Sequence, residues 1–153
     1  MRFLIQVVKN ASVSIERNTV GSIDRGFLIF VGVCDSDTVE IADKMIKKAA
    51  NLRIFSDADG KTNLSVNDIG GSMLVISQFT LYADCKKGNR PSFIKAGDPK
   101  HANELYEYIL SEFKNTYGIH TESGSFGADM QVSLVNDGPF TIMLDSDDIL
   151  SIR

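Results

Sequence analysis

The apolar positions early in the chain come in short, β-branched, partly alternating runs. Phe3-Leu4-Ile5-Gln6-Val7-Val8 and Ala11-Ser12-Val13-Ser14-Ile15-Glu16 therefore predict two strands. Gly26-Phe27-Leu28-Ile29-Phe30-Val31-Gly32-Val33 is apolar on both faces, as a central strand is. The period then changes. Ile41, Ala42, Met45, Ile46 and Ala49 recur at helical spacing with Lys44, Lys47 and Lys48 on the other side, and Asp37 with Glu40 reads as a capping box ahead of them. Asn51-Leu52-Arg53-Ile54-Phe55 returns to strand character, and Asp57-Ala58-Asp59-Gly60-Lys61 has the composition of a turn.

Residues 73–82 read as a further strand whose apolar continuity stops abruptly at Ser77 and Gln78. A second helix is signposted by Asp98 as N-cap and Pro99 at its first position; Leu105, Tyr106, Ile109, Leu110 and Phe113 form its buried stripe, and Gly118 ends it. Met130-Gln131-Val132-Ser133-Leu134-Val135 and Phe140-Thr141-Ile142-Met143-Leu144 supply two last strands joined by Asn136-Asp137-Gly138-Pro139. No repeat, linker or composition shift divides the chain. The expectation is a single α+β domain over residues 1–153, with a curved, barrel-like sheet system and two main helices.

Composition narrows the class. At 153 residues and 43% hydrophobic content, the chain can bury about two-thirds of its unfolded surface. Cys34 and Cys85 are the only cysteines, too few for a disulfide framework or a four-thiol zinc site, so a reducing cytoplasm is the expected location. No apolar run approaches the roughly 18 residues of a membrane span, so no membrane partner is expected. A net charge of −4 argues against a protein that coats nucleic acid. Any RNA contact must be local, and Lys86, Lys87, Arg90 and Lys95, with Lys100 close behind, make the densest basic segment.

Familiar side-chain chemistry is scarce. His101 and His120 sit in polar contexts and read as surface residues, and nothing around Cys85 would lower its pKa. The turn at residues 57–61 lacks the later ligands of a calcium loop, and no Walker loop, dinucleotide fingerprint or HExxH occurs. Two stretches stand out instead. Ser77-Gln78-Phe79-Thr80-Leu81 puts polar groups at the end of an apolar strand, and Asn136-Asp137-Gly138-Pro139-Phe140-Thr141 sets a Gly-Pro bond directly against another. By composition alone they also fit ordinary strand alternation and an ordinary turn.

Taken together, these two stretches resemble the paired signature of the D-aminoacyl-tRNA deacylases, SQFTL and NxGPVT. The likeness runs along the chain through Leu4-Ile5-Gln6, Ala11-Ser12-Val13, Arg53-Ile54-Phe55-Ser56-Asp57, Gly88-Asn89-Arg90-Pro91-Ser92-Phe93 and Phe126-Gly127-Ala128-Asp129-Met130. Val7 stands where the family commonly has an Arg that braces the Gly-Pro element, and Phe140 replaces the usual Val, a larger side chain beside the expected pocket. A related animal-type deacylase that accepts certain L residues carries Pro and Ala where this chain has Ser77 and Phe79, which argues against that reading. A non-catalytic RNA-binding module of the same fold is the remaining alternative.

The resemblance implies hydrolysis of the ester that joins a D-amino acid, or glycine mischarged on tRNA(Ala), to tRNA. Catalysis would fall to Ser77, Gln78, Phe79 and Thr80, with the backbone N–H groups of Phe79 and Thr80 as the oxyanion hole and the terminal ribose 2′-hydroxyl helping to orient the water. Asn136, Gly138, Pro139, Phe140 and Thr141 would form the chiral gate, a cis Gly138-Pro139 bond aiming two carbonyls at the substrate ammonium. Lys86, Lys87 and Arg90 would meet the tRNA. The resemblance further implies a homodimer whose Gly-Pro loop crosses between subunits. No metal, cofactor or DNA partner is expected.

Overall fold

Fourteen residues, Arg2–Ile15, run as one strand, β1, where the hydrophobic pattern alone predicts two. The break at Lys9 and Asn10 is an irregularity within the strand. It shifts the phase of the alternation. Before it the odd-numbered Phe3, Ile5 and Val7 face the larger core and Val8 faces a second, smaller one; after it the odd-numbered Ala11 and Val13 face the smaller core. The computed structural model describes residues Met1 to Ser151.

β1 turns into β2 (Asn18–Ile23) through Glu16 and Arg17, both at positive φ (49° and 68°), the backbone of a two-residue hairpin turn usually built with Asn or Gly. Without those turn residues the hairpin leaves no mark in the sequence. On its other side β1 pairs antiparallel with β3 (Gly26–Gly32), whose burial on both faces matches its unbroken apolar run. β3 continues in parallel to β6 (Ser72–Ser77), and β6 in parallel to β7 (His120–Ser123). Each parallel step requires a crossover, and the two long helices, α1 (Val39–Ala50) and α2 (Pro99–Asn115), are those crossovers. A small ribbon, β4 (Phe55–Ser56) with β5 (Thr62–Leu64), closes around the expected turn. Only its first residue comes from the strand expected at residues 51–55, because Asn51 instead caps α1.

The last strand, β8 (Gln131–Asp145), pairs along the whole of β1. A five-residue helix, α3 (Ser146–Leu150), follows with Asp145 as its N-cap. The sheet curls until β2 meets β7: a Cβ added at Gly21 would lie 2.8 Å from the carbonyl oxygen of Ser123. The domain is thus α+β with a nearly closed barrel-like sheet and two main helices. Val8, Val13, Leu28, Leu74 and Ile76 fill the small core, and α1 and α2 cover the outer face over Phe3, Phe27, Met73 and Val75.

Asp98 caps α2 as expected, accepting from the N–H groups of Lys100 and His101. At α1 the capping box is replaced. Thr38 is the cap and accepts from Ile41, whereas Asp37 is buried and its carboxylate holds the Met1 amino group at 2.6 Å and the Cys34 N–H at 2.8 Å. A buried carboxylate pairs with a charge before it caps a helix that a neighbouring hydroxyl can serve. Among the described residues no helix is long and apolar enough to cross a membrane.

The parallel pairing of β3 with β6 depends on a close approach at Gly26, where a Cβ would lie 1.8 Å from the Ser72 carbonyl oxygen. That contact is backbone to backbone, so no rotamer relieves it. Gly26→Ala should cost about 3 kcal/mol, read as a lower urea midpoint with an unchanged m-value. An unshifted midpoint would show that the strands part freely there.

Candidate active site

β6 stops at Ser77, the last residue that pairs with β3, opposite Val31. Gln78 donates its N–H to the Val31 carbonyl at 2.8 Å, and the chain then winds into a single 3₁₀ turn, Phe79–Tyr82. The strand expected to reach residue 82 therefore ends five residues early. Leu81 N–H bonds to Gln78 O and Ala83 N–H to Thr80 O, which leaves the N–H groups of Phe79 and Thr80 without an acceptor among the described residues. The first donors of any helical turn lack an internal partner. The Thr80 hydroxyl accepts from the Gln78 side-chain amide, and among the described residues no histidine or carboxylate hydrogen-bonds to it.

The turn is anchored from behind by Arg2. Its Nη1 donates to the Leu81 carbonyl at 2.8 Å, its Nε to Asp145 Oδ2 at 2.8 Å, and its guanidinium lies 4.5 Å from the centre of the Tyr82 ring. Burial works against the Asp145 charge, yet the N–H of Asp147 and the Arg2 guanidinium hold its carboxyl below the usual range. Arg2 was invisible as a site residue in the sequence, where it is one cation ahead of a strand.

Ser77, Gln78 and Phe79 line a cavity of about 550 Å³. Its opposite walls come from Tyr106 on α2 and from residues 126–130, a segment whose composition carries no site signal of its own. The Tyr106 hydroxyl donates to the Val75 carbonyl at 2.7 Å, and burial pushes its phenol up, so it serves as wall and not as acid. The volume suits a small organic group held mostly by apolar contact.

The second motif is not a link between two strands. β8 is continuous, and residues 137–140 bulge out of it: five residue steps from Asn136 to Thr141 face only two from Gln6 to Val8 on β1. Gly138-Pro139 is cis, with Gly138 at φ 119°. The Asn136 amide ties the base of the bulge, donating to Val7 O and to Phe140 O at 3.1 Å each. Because the brace uses a main-chain carbonyl, the Val7 side chain is free to pack in the core, where it is 5% exposed. Phe140 likewise packs against the main core of its own chain and does not line that chain's cavity. None of residues 136–141 lines it. Within one chain, the two motifs do not form a common pocket.

Lys86, Lys87 and Arg90 sit exposed on a loop closed by a backbone bridge between Asp84 and Ser92. The Lys86 N–H, and the Lys95 ammonium 3.0 Å away, hold the Asp84 carboxyl below the usual range. His120 is exposed beside Glu122, but His101 is half-buried, with Nε2 3.0 Å from the Asp37 carbonyl, and so is not the free surface residue its context suggested. Among the described residues no group of three or more His, Cys, Asp or Glu is placed to hold a metal ion.

The chain matches the family described as D-Tyr-tRNA(Tyr) deacylase over residues 4–145. It is 52% identical to a D-aminoacyl-tRNA deacylase of Lactobacillus acidophilus, the alignment covering 95% of this chain and 99% of that one. A D-aminoacyl-tRNA deacylase of Thermosipho africanus is also 52% identical, covering 95% and 97%. Among solved structures, one described as c-Myc DNA Unwinding Element Binding Protein superposes with a TM-score of 0.90 at 37% identity, over 95% of this chain and 98% of that one.

The Asn136 brace yields an ordered pair of expectations. Asn136→Ala leaves two carbonyls without their donor and should cost about 1–3 kcal/mol. Asn136→Asp turns a carboxylate toward the same carbonyls and should cost more. Denaturation midpoints of the two variants test the order, and an aspartate variant as stable as wild type would mean the brace is dispensable.

Proposed function

The chain belongs to the D-Tyr-tRNA(Tyr) deacylase family, and on that premise we propose that this D-aminoacyl-tRNA hydrolase cleaves its ester with backbone amides in place of a side-chain nucleophile. The observation that carries the reading is the pair of unengaged N–H groups of Phe79 and Thr80 in the turn that borders the cavity. An aminoacyl ester is already labile, so donors fixed where the tetrahedral oxyanion forms supply the larger part of the acceleration; one such donor is worth about 3 kcal/mol. Ser77 and Gln78 set the backbone that aims them. Thr80 lacks an adjoining base, and its hydroxyl is engaged by Gln78, so its contribution is its N–H. The substrate's own 2′-hydroxyl orients the attacking water, and no cofactor or metal is needed.

Discrimination by hand requires a second contact that fixes the α-ammonium group. The carbonyls at the Gly138-Pro139 bulge suit that task, but in its own chain the bulge stands away from the cavity. We therefore assign it to the other protomer of a homodimer: the partner subunit's Gly138 and Pro139 enter the cavity of the first. Among the described residues the edge of β8 not paired with β1 carries no other strand, and Val135 and Met143 expose apolar surface along it, at 46% and 48%. An unpartnered edge of this kind is a natural place for a second chain. With the ammonium fixed, the Cβ of an L residue meets the loop while a D side chain projects outward. Glycine, without a Cβ, is accepted.

The animal-type alternative does not fit Ser77 and Phe79, and a net charge of −4 with one small cation cluster favours the end of a tRNA over duplex DNA. A substrate of charged tRNA supports a cytoplasmic location for the protein. The primary test compares hydrolysis of D- and L-tyrosyl-tRNA by the purified protein: D-selective release is expected, and its absence sinks the assignment. Thr80→Ala should keep most of the rate because the N–H survives, whereas an acyl-enzyme trapped at Thr80 would establish the nucleophilic route instead.

A shared site makes a prediction for mixed dimers. One variant has its cavity blocked by Ala128→Trp, a substitution in the cavity wall, and another lacks Gly138 and Pro139; each is inactive as a homodimer. In a heterodimer of the two, a site assembled in trans collects both lesions at one end and leaves the other intact, so activity returns in part. A heterodimer whose formation is verified with differently tagged chains, and which stays inactive, refutes the shared site.

A further inference from the structure

Beyond the cavity, one exposed surface combines aromatic rings and free cations. Phe79 and Phe93 pack edge to face with ring centres 5.2 Å apart, yet both stand in solvent, at 57% and 39% exposure. Ile94, next in sequence to Phe93, is 88% exposed. Single apolar residues at a surface need no explanation, but three together, two of them packed edge to face, mark a place of contact. The surface is continuous with the site, because Phe79 also lines the cavity.

The charged neighbourhood specifies the partner. Ser92, which closes the basic loop against Asp84, immediately precedes Phe93. Lys86, Lys87 and Arg90 on that loop form no ion pair among the described residues, whereas Lys95 is tied to Asp84 at 3.0 Å. Aromatic faces beside unpaired cations, on a protein otherwise negative by four charges, match a flexible strand that offers bases and phosphates in alternation.

We infer that Phe93, with Phe79 and Ile94, is the platform on which the unpaired nucleotides preceding the esterified adenosine of tRNA stack, their phosphates lying over Lys86, Lys87 and Arg90. This rests on the deacylase reading. The terminal adenosine and its ester enter the cavity, and the platform at the mouth takes the next bases. It reads single-stranded RNA by stacking, with little preference among bases. Phe93 thereby contributes affinity for tRNA and nothing to the chemical step.

The test uses the full-length protein and two substrates, D-tyrosyl-tRNA and D-tyrosyl adenosine, which carries the same ester without the preceding nucleotides. Phe93→Ala should raise KM for the tRNA roughly tenfold, with kcat nearly unchanged, and alter hydrolysis of D-tyrosyl adenosine less than twofold. Phe93→Tyr should restore the tRNA KM, since it keeps a ring face. Ile94→Ser, at a position with no packing role, should give a smaller shift of the same kind. Lys86→Glu with Lys87→Glu should lower the log–log salt slope of tRNA binding by about 0.7 per lost phosphate contact, whereas Phe93→Ala should leave that slope as it is. Equal losses on both substrates, with dimer dissociation in sedimentation, would assign the ring pair to a second copy of the chain and overturn the proposal. Unchanged KM values for both substrates, or a charge-reversed protein with an unchanged slope, would overturn it as well. Wild-type protein that hydrolyses neither substrate would overturn the deacylase reading itself.

Discussion

The register of β8 against β1 is the constraint on which the rest of the structure depends. The ladder is fixed at one end by Arg2 opposite Asp145, a pair that is also an ion pair, and at the other by Val13 opposite Val132. With both ends fixed, the surplus residues of β8 can leave only in the middle, and they do so as the bulge that carries Gly138 and Pro139. A slip by one residue would move Val132 and Leu134 from the small core to solvent, so burial enforces the register that produces the bulge. Asn136 then fixes the bulge to the ladder through two carbonyls.

The same sheet shapes the Ser77–Thr80 segment by ending a strand early. β6 lies between β3 and β7 as far as Val75 and stays paired with β3 to Ser77, and the first two N–H groups of the 3₁₀ turn that follows meet no acceptor among the described residues. A donor held by a packed strand undergoes little reorganisation when charge develops beside it, which is how backbone amides can substitute for a reactive side chain. Arg2 ties that turn to the end of β8. Its guanidinium bonds both to the Leu81 carbonyl of the turn and to Asp145 at the end of β8.

Charge is arranged on a smaller scale than net composition indicates. Asp37 is spent on the Met1 amino group inside the fold, and Asp84 on Lys95 and the Lys86 N–H at the neck of the basic loop. With its closing residues satisfied locally, the loop presents Lys86, Lys87 and Arg90 outward. An acidic protein can therefore carry one small cationic face, directly beside the exposed rings of Phe79 and Phe93.

What was legible in the sequence was whatever depends on a residue's own periodicity or its near neighbours. The two-faced apolar run of β3, the stripe and Asp98 cap of α2, the turn at residues 57–61 and the α+β class all follow from local pattern, and the two short motifs carried the family. Tertiary structure alone decided the rest, because those features rest on partners far away in the chain. Pairing with β1 merged the two tail strands into β8 and turned their supposed link into a bulge. The Met1 amino group drew Asp37 from the capping role its spacing suggested, and Glu16 and Arg17 adopted a left-handed turn that neither residue type advertises. Arg2 became a brace only when folding brought Leu81 and Asp145 within 2.8 Å of it. Periodicity reports which face a residue buries. It is silent on which distant group that residue will meet, since that is settled by the register of strands packed to close a sheet.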